Sequence, residues 1–262
     1  MDNGYAFTFD ALRHKRELTS HFFALSFLWG AVAGSITLNG ASLAWMAAGL
    51  LLGGLLHELA HVAALWLMGV RGIELGLIRS KWIVGIYVKS PAELDFARVA
   101  VTVLAPLALT PLWAVAAGAS EGALRDVFWF AGFWNTAGLC GDLLLLLAAA
   151  SVREARVADR GHAIEVRGCC PRHQPLLLAV FIDYTVWSFL AVAVALVVAA
   201  PVLGSLDVGP LTLVKLNAEW KGGVMQSASV EFGPGAVLLA LAASLALTAL
   251  NWKRKVLAMM RA

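Results

Sequence analysis

The sequence predicts an all-α polytopic membrane protein of about six transmembrane helices, with a small cytoplasmic β-hairpin after the second span. Three observations predict it. Hydrophobic residues make up 60% of the chain, charged residues only 14%, and the mean hydropathy is +0.79, a composition far from soluble-domain usage. Apolar runs near the roughly 20 residues needed to cross a bilayer recur along the chain. Lys and Arg gather in alternate connections, the signature of a chain oriented by its positive charges.

The apolar runs cover about 21–38, 41–69, 99–117, 127–150, 176–203 and 235–250. The first follows about 20 mostly polar residues, which suits a retained anchor better than a cleaved signal peptide. In the third, Pro106 and Pro111 predict a kink or break. Seventeen of the twenty Lys and Arg fall in the N-terminal segment, 70–98, 151–174 and the C-terminus. Six spans with both termini in the cytoplasm follow from that bias, and the Ala-, Arg- and Gly-rich composition with no targeting segment suits a prokaryotic cell membrane. A net charge of +3 then reports orientation and not a nucleic-acid partner. The expected organisation is a single membrane-embedded domain over 1–262, with a core at about 41–150, a cytoplasmic loop at 151–174 and C-terminal spans at 175–262.

His57-Glu58-Leu59-Ala60-His61 lies in the second run. Titratable groups are costly in hydrocarbon, and a metal ion is the compensating partner this spacing suits. Histidines four apart share one helix face, and neutral imidazole is a zinc ligand. Glu58 sits on the flank of that face, where it can take a proton from water as a general base. The expected cofactor is one Zn²⁺ per chain. The competing reading is a pair of core histidines hydrogen-bonded to neighbouring helices.

A third protein donor is needed, and Asp142 and Asp183 both lie within spans. The second and fourth spans run in the same direction, which puts His61 and Asp142 at one depth, roughly 12 to 14 Å from the cytoplasmic boundary at 1.5 Å per residue. Gly138 and Gly141 let helices approach closely there. Asp142 is therefore the expected ligand. Asp183, at similar depth in the fifth span, stays open as an alternative ligand, a group behind the ligands, or the partner of another polar group.

These features carry a resemblance. The HELAH motif in an early span, a strand-like segment after it, a proline-containing third span, and Asn135 followed by Gly138, Gly141 and Asp142 resemble the site-2 protease family of intramembrane zinc metalloproteases. A closer likeness is to small bacterial membrane proteins described as zincin peptidases. The resemblance covers about 41–150. It implies His57, His61 and Asp142 as zinc ligands, Glu58 as catalytic base, and Asn135 beside the cleft, holding substrate or intermediate. The chain departs from the family pattern in having no proline between Asn135 and Asp142, and Leu143 where that pattern has glycine. Asn135 leans on that pattern more than Asp142 does.

Residues 73–78 and 82–88 read as two strands joined by Arg79-Ser80-Lys81. They either accept an unwound substrate by strand addition or lie as an amphipathic hairpin on the inner leaflet. In the polar loop at 151–174, Ile164-Glu165-Val166-Arg167 alternates like a strand, and Cys169-Cys170 with His173 is a metal or lipidation cue set against an ordinary reduced pair. Cys140 reads as packing. Residues 211–232 suggest an outer hairpin, as a cap, a size filter or a simple surface feature. Two function classes remain. One is a zinc-dependent intramembrane endopeptidase acting on membrane-protein or peptide substrates in the lipid bilayer. The other is a noncatalytic membrane protein, an inactive relative or a cation or proton transporter.

Overall fold

Alternation of apolar and polar residues makes the chain start a strand, β1 (Tyr5–Asp10), which buries Phe7 and Phe9 on one face. The structure, a computed structural model, describes residues 5–34, 42–79, 84–160, 163–203, 205–208, 210–221 and 224–260. After β1 comes α1 (Lys15–Ala33), then α2 (Ser42–Leu67), which carries the HELAH motif. A hairpin of β2 (Glu74–Arg79) and β3 (Val84–Lys89) follows, pairing antiparallel as expected. Residues 80–83, which hold most of the expected turn, lie outside the described residues.

A two-residue strand, β4 (Leu94–Asp95), runs directly into α3 (Phe96–Leu104), whose first turn is capped by the Asp95 carboxylate accepting from Arg98 N–H at 2.9 Å. Pro106 then ends regular helix. Residues Ala105–Ala108 tighten into a 3₁₀ turn, and α4 (Leu109–Ala119) completes the broken third span. Next come α5 (Gly122–Ala150), β5 (Arg156–Asp159), β6 (Ala163–Gly168) and α6 (Gln174–Leu203). The chain closes with β7 (Ser205–Val208), β8 (Leu211–Lys221), β9 (Val224–Phe232) and α7 (Pro234–Met259).

Two expectations are corrected. Among the described residues five helices, not six, are long and apolar enough to cross a membrane: Ala44–Leu67, Phe96–Ala119, Gly122–Ala150, Gln174–Pro201 and Pro234–Met259. The first expected run, 21–38, of which 35–38 lie outside the described residues, misses that mark because α1 opens on Lys15, Arg16 and Glu17 and is capped at Gly34, where φ is +74°. Nor is the chain all-α. Beyond the expected hairpin, a four-stranded antiparallel sheet has the order β1-β6-β5-β4, and a three-stranded one the order β7-β8-β9. The strand-like alternation at 164–167 is β6, paired with Phe7 and Phe9 of β1 through Val166 and Ile164.

The chain forms two compact units, Met1–Ala179 with Arg254–Ala262, and Val180–Lys253. In the first, α5 is packed by α1, α2, α3 and α4. Its aromatic centre is Trp29 and Trp113 against Ala131, with Phe128, Trp129 and Phe133 around them. Gly132 makes room for this, since any side chain there would meet the Trp29 ring. The four-stranded sheet buries Phe9, Val157, Ile164 and Val166. An ion pair of 2.9 Å joins Lys255 Nζ, at the end of α7, to Glu17 Oε1 at the start of α1. In the second unit, Leu196 and Ala200 of α6, Leu213 and Val214 of β8, and Ala236 of α7 form the core. There the Thr185 and Ser244 hydroxyls lie 2.7 Å apart, tying α6 to α7.

Candidate metal centre

One face of α2 carries Gly49, Gly53, His57 and His61, each four residues after the last. The two glycines allow backbone to touch backbone. A Cβ on Gly53 would overlap the Ala131 carbonyl and Cα, and one on Gly49 would overlap the Val127 carbonyl oxygen and Phe130 Cβ. With α2 held that close to α5, the next two turns bring His57 and His61 up to Asp142. Gly138 lies against the His57 ring, where a Cβ would come within 3.4 Å. Gly141 plays no such part. Its nearest neighbour is Leu18 of α1, so the close helix approach expected from Gly138 and Gly141 comes instead from Gly49, Gly53 and Gly138.

His57 Nε2 lies 3.0 Å and His61 Nε2 3.4 Å from Asp142 Oδ2. Ligand atoms of all three residues fall within 4.8 Å of one another. Donors around a tetrahedral zinc at 2.0–2.2 Å stand roughly 3.3 to 3.6 Å apart, so the residues present fit the ion. The protonation pattern points the same way. His57 Nδ1 faces the Asn135 carbonyl at 3.1 Å and His61 Nδ1 faces the Thr102 carbonyl at 2.8 Å. A carbonyl only accepts, so each Nδ1 carries the hydrogen and donates it. In the neutral rings both Nε2 lone pairs then aim at a carboxylate, an arrangement that a metal ion, or a ring proton, satisfies. Both rings are buried, which makes leaving it unsatisfied costly.

The bond to His61 traces to one proline. Pro106 has no N–H for the carbonyl four residues back, that of Thr102. Thr102 instead meets the N–H of Ala105, one residue early, and Nδ1 of His61. Asn135 Nδ2 uses the same break, donating to the Pro106 carbonyl at 3.0 Å and to Thr110 Oγ1 at 3.3 Å. Pro106→Ala restores the N–H and gives His61 a competitor. Zinc affinity is expected to fall about tenfold, measured by competition with a chromophoric chelator. Unchanged affinity would show that the break in the span is not what orients His61.

A cavity of about 330 Å³ opens on the centre. Glu58, His61, Asp142 and Cys140 line it, with apolar walls from Leu12 and Leu18, Val103, Leu145 and Ile164. Cys140, expected to serve packing alone, is part of this wall. Asn135 is fully buried behind it, and the visible service it gives the centre is its backbone carbonyl to His57. Asp183 is buried on α6 in the second unit, and the group that converges, His57, His61 and Asp142, does not include it. Cys169 and Cys170 are free thiols with their sulfurs 3.0 Å apart, and the Cys170 thiol raises Cys169 above its ordinary pKa. Sequence reasoning passed over Thr102 and Gly49 with Gly53. A proline four residues after Thr102 and a GxxxG one turn before His57 were the signals.

Residues 50–156, from the middle of α2 to the start of β5, match a family model described as "Putative zincin peptidase". No curated protein and no solved structure matches the chain. The match supports a zincin-like peptidase family, for which zinc is the metal implied.

Proposed function

We propose that the chain is a zinc-dependent intramembrane endopeptidase that hydrolyses peptide bonds of membrane-associated proteins or peptides. The observation that carries this reading is a set of three donors at zinc-ligand separations, His57, His61 and Asp142, with the carboxylate Glu58 lining the same cavity. Zinc held by these residues supplies Lewis acidity to a peptide carbonyl and makes water a nucleophile at neutral pH. The remaining work falls to the protein. Glu58 takes the proton from the attacking water and delivers it to the departing amine nitrogen. Asn135 and Thr102, through their carbonyls, keep both imidazoles turned to the metal. The apolar cavity walls favour an apolar peptide segment.

Orientation belongs to the same proposal. The pairing of β1 with β6, the run of β4 into α3 and the Lys255–Glu17 ion pair gather both termini and the connections before α3 and after α5 at one end of the first unit's helices. Most of the Lys and Arg lie at that end, which is accordingly cytoplasmic, in a prokaryotic cell membrane.

Glu58→Gln tests the reading. Purified in detergent, the variant is expected to keep about one zinc per chain while cleavage of quenched-fluorescence peptides falls to background. Retained cleavage would remove Glu58 as the base. Absence of zinc and of cleavage from the folded parent would leave the cluster to a transport or partner-binding role.

A further inference from the structure

Peptide hydrolysis builds negative charge on the carbonyl oxygen, and a hydrogen-bond donor fixed at that oxygen is worth about 10²–10³ in rate. The cavity wall has one side chain suited to this and otherwise uncommitted. Glu58, Asp142 and Asp159 are acceptors when ionised. His61 spends Nδ1 on Thr102 and turns Nε2 to the metal centre. Thr102 Oγ1 donates to the Arg98 carbonyl at 2.9 Å and Ser90 Oγ to the Ala92 carbonyl at 3.2 Å. Cys140 offers only a weak thiol donor. Tyr87 remains, and among the described residues its hydroxyl has no hydrogen-bond partner.

Its position is built. On the β2–β3 hairpin Tyr87 pairs with Gly76, and a side chain at 76 would collide with the Tyr87 ring at its hydroxyl end. The glycine lets the ring lie across β2 with its hydroxyl end over Gly76, and Tyr87 lines the cavity beside Val88.

We propose that Tyr87 is a further catalytic residue of this centre, its phenol donating a hydrogen bond to the scissile carbonyl oxygen as negative charge builds there. The assignment rests on the peptidase reading above. Water oxygen bonds to the carbonyl carbon, the C=O π pair moves to oxygen, and Glu58 receives the water's proton. The C–N bond then breaks, its electron pair leaves with nitrogen, and nitrogen takes the proton from Glu58. Tyr87 keeps its own proton throughout.

The test uses full-length, zinc-loaded protein in detergent, quenched-fluorescence peptides with apolar centres, and a phosphinic pseudo-tripeptide whose tetrahedral phosphorus mimics the adduct. Tyr87→Phe is expected to hold zinc and melt like the parent, lose about 100-fold in kcat with little change in KM, and bind the phosphinic probe correspondingly less tightly. Parent-like kcat and probe binding in Tyr87→Phe overturn the assignment and leave the peptidase reading standing. Should that variant lose zinc, 3,5-difluorotyrosine at position 87 decides. Its stronger hydrogen-bond donor is expected to change kcat and phosphinic-probe affinity together, and parent-like values of both overturn the proposal. A zinc-loaded parent that cleaves nothing and is indistinguishable from Glu58→Gln fails the peptidase reading itself, and the tyrosine assignment with it.

Discussion

Asp142→Ala is expected to strip the metal from the centre, taking zinc in the purified protein from about one per chain to near background, while Asp183→Ala keeps it. Asp142 is the one charged donor of the three, and its Oδ2 is within 3.4 Å of both Nε2 atoms. Without it, the donors left to a divalent ion in this group are two neutral imidazoles. The loss should exceed the roughly 10–100-fold typical of removing a supporting group behind a ligand. Elemental mass spectrometry reads the metal directly, and the thermal melt reads it independently. A site filled at about 1,000 times its Kd stabilises the parent by about 4 kcal/mol, so added zinc should raise the parent's Tm and leave that of Asp142→Ala unmoved. Zinc retained in Asp142→Ala and lost in Asp183→Ala would transfer the third ligand to α6.

The second large effect is mechanical. Gly53→Ala places a methyl inside the Ala131 backbone, and a rigid helix cannot absorb that locally. Overpacking of this kind costs about 1–3 kcal/mol, and here the displaced segment carries His57 one turn further on. The variant is expected to melt early and to lose zinc together with stability. Gly30→Ala on α1 is the control. A Cβ there meets nothing within 4 Å, so alanine should leave the metal untouched and leave stability level or raise it by up to about 1 kcal/mol. Gly53→Ala with parent-like zinc and Tm would mean that α2 and α5 can separate without disturbing the centre.

What could be read from the residues divides along local and distant interactions. The HELAH pair needed only helical periodicity, and the break at Pro106 only the missing N–H of proline. Asp142 followed from counting depth along two helices of the same direction. The hairpin of β2 and β3 is likewise a short-range feature. By contrast, β1 pairs with β6, far along the chain, and the alternation within Tyr5–Asp10 carries no sign of which strand offers it an edge. The first expected span is the one that length and composition support least, because α1 opens on a charged turn and is capped at a glycine. Close packing was sought on α5, where Gly138 and Gly141 stand beside Asp142. The decisive contact lies one turn before His57, on the other helix.

Pairing β1 with β6 also imposes an order of assembly. The ribosome releases β1 first, but its partner emerges only after α1 to α5 have been made, on the order of 10 s later at about 5–20 residues per second. Until then the sheet carrying Val157 and Ile164, two of the cavity's walls, has no closing strand. The nascent chain therefore completes the helices that carry His57, His61 and Asp142 before it completes the cavity beside them.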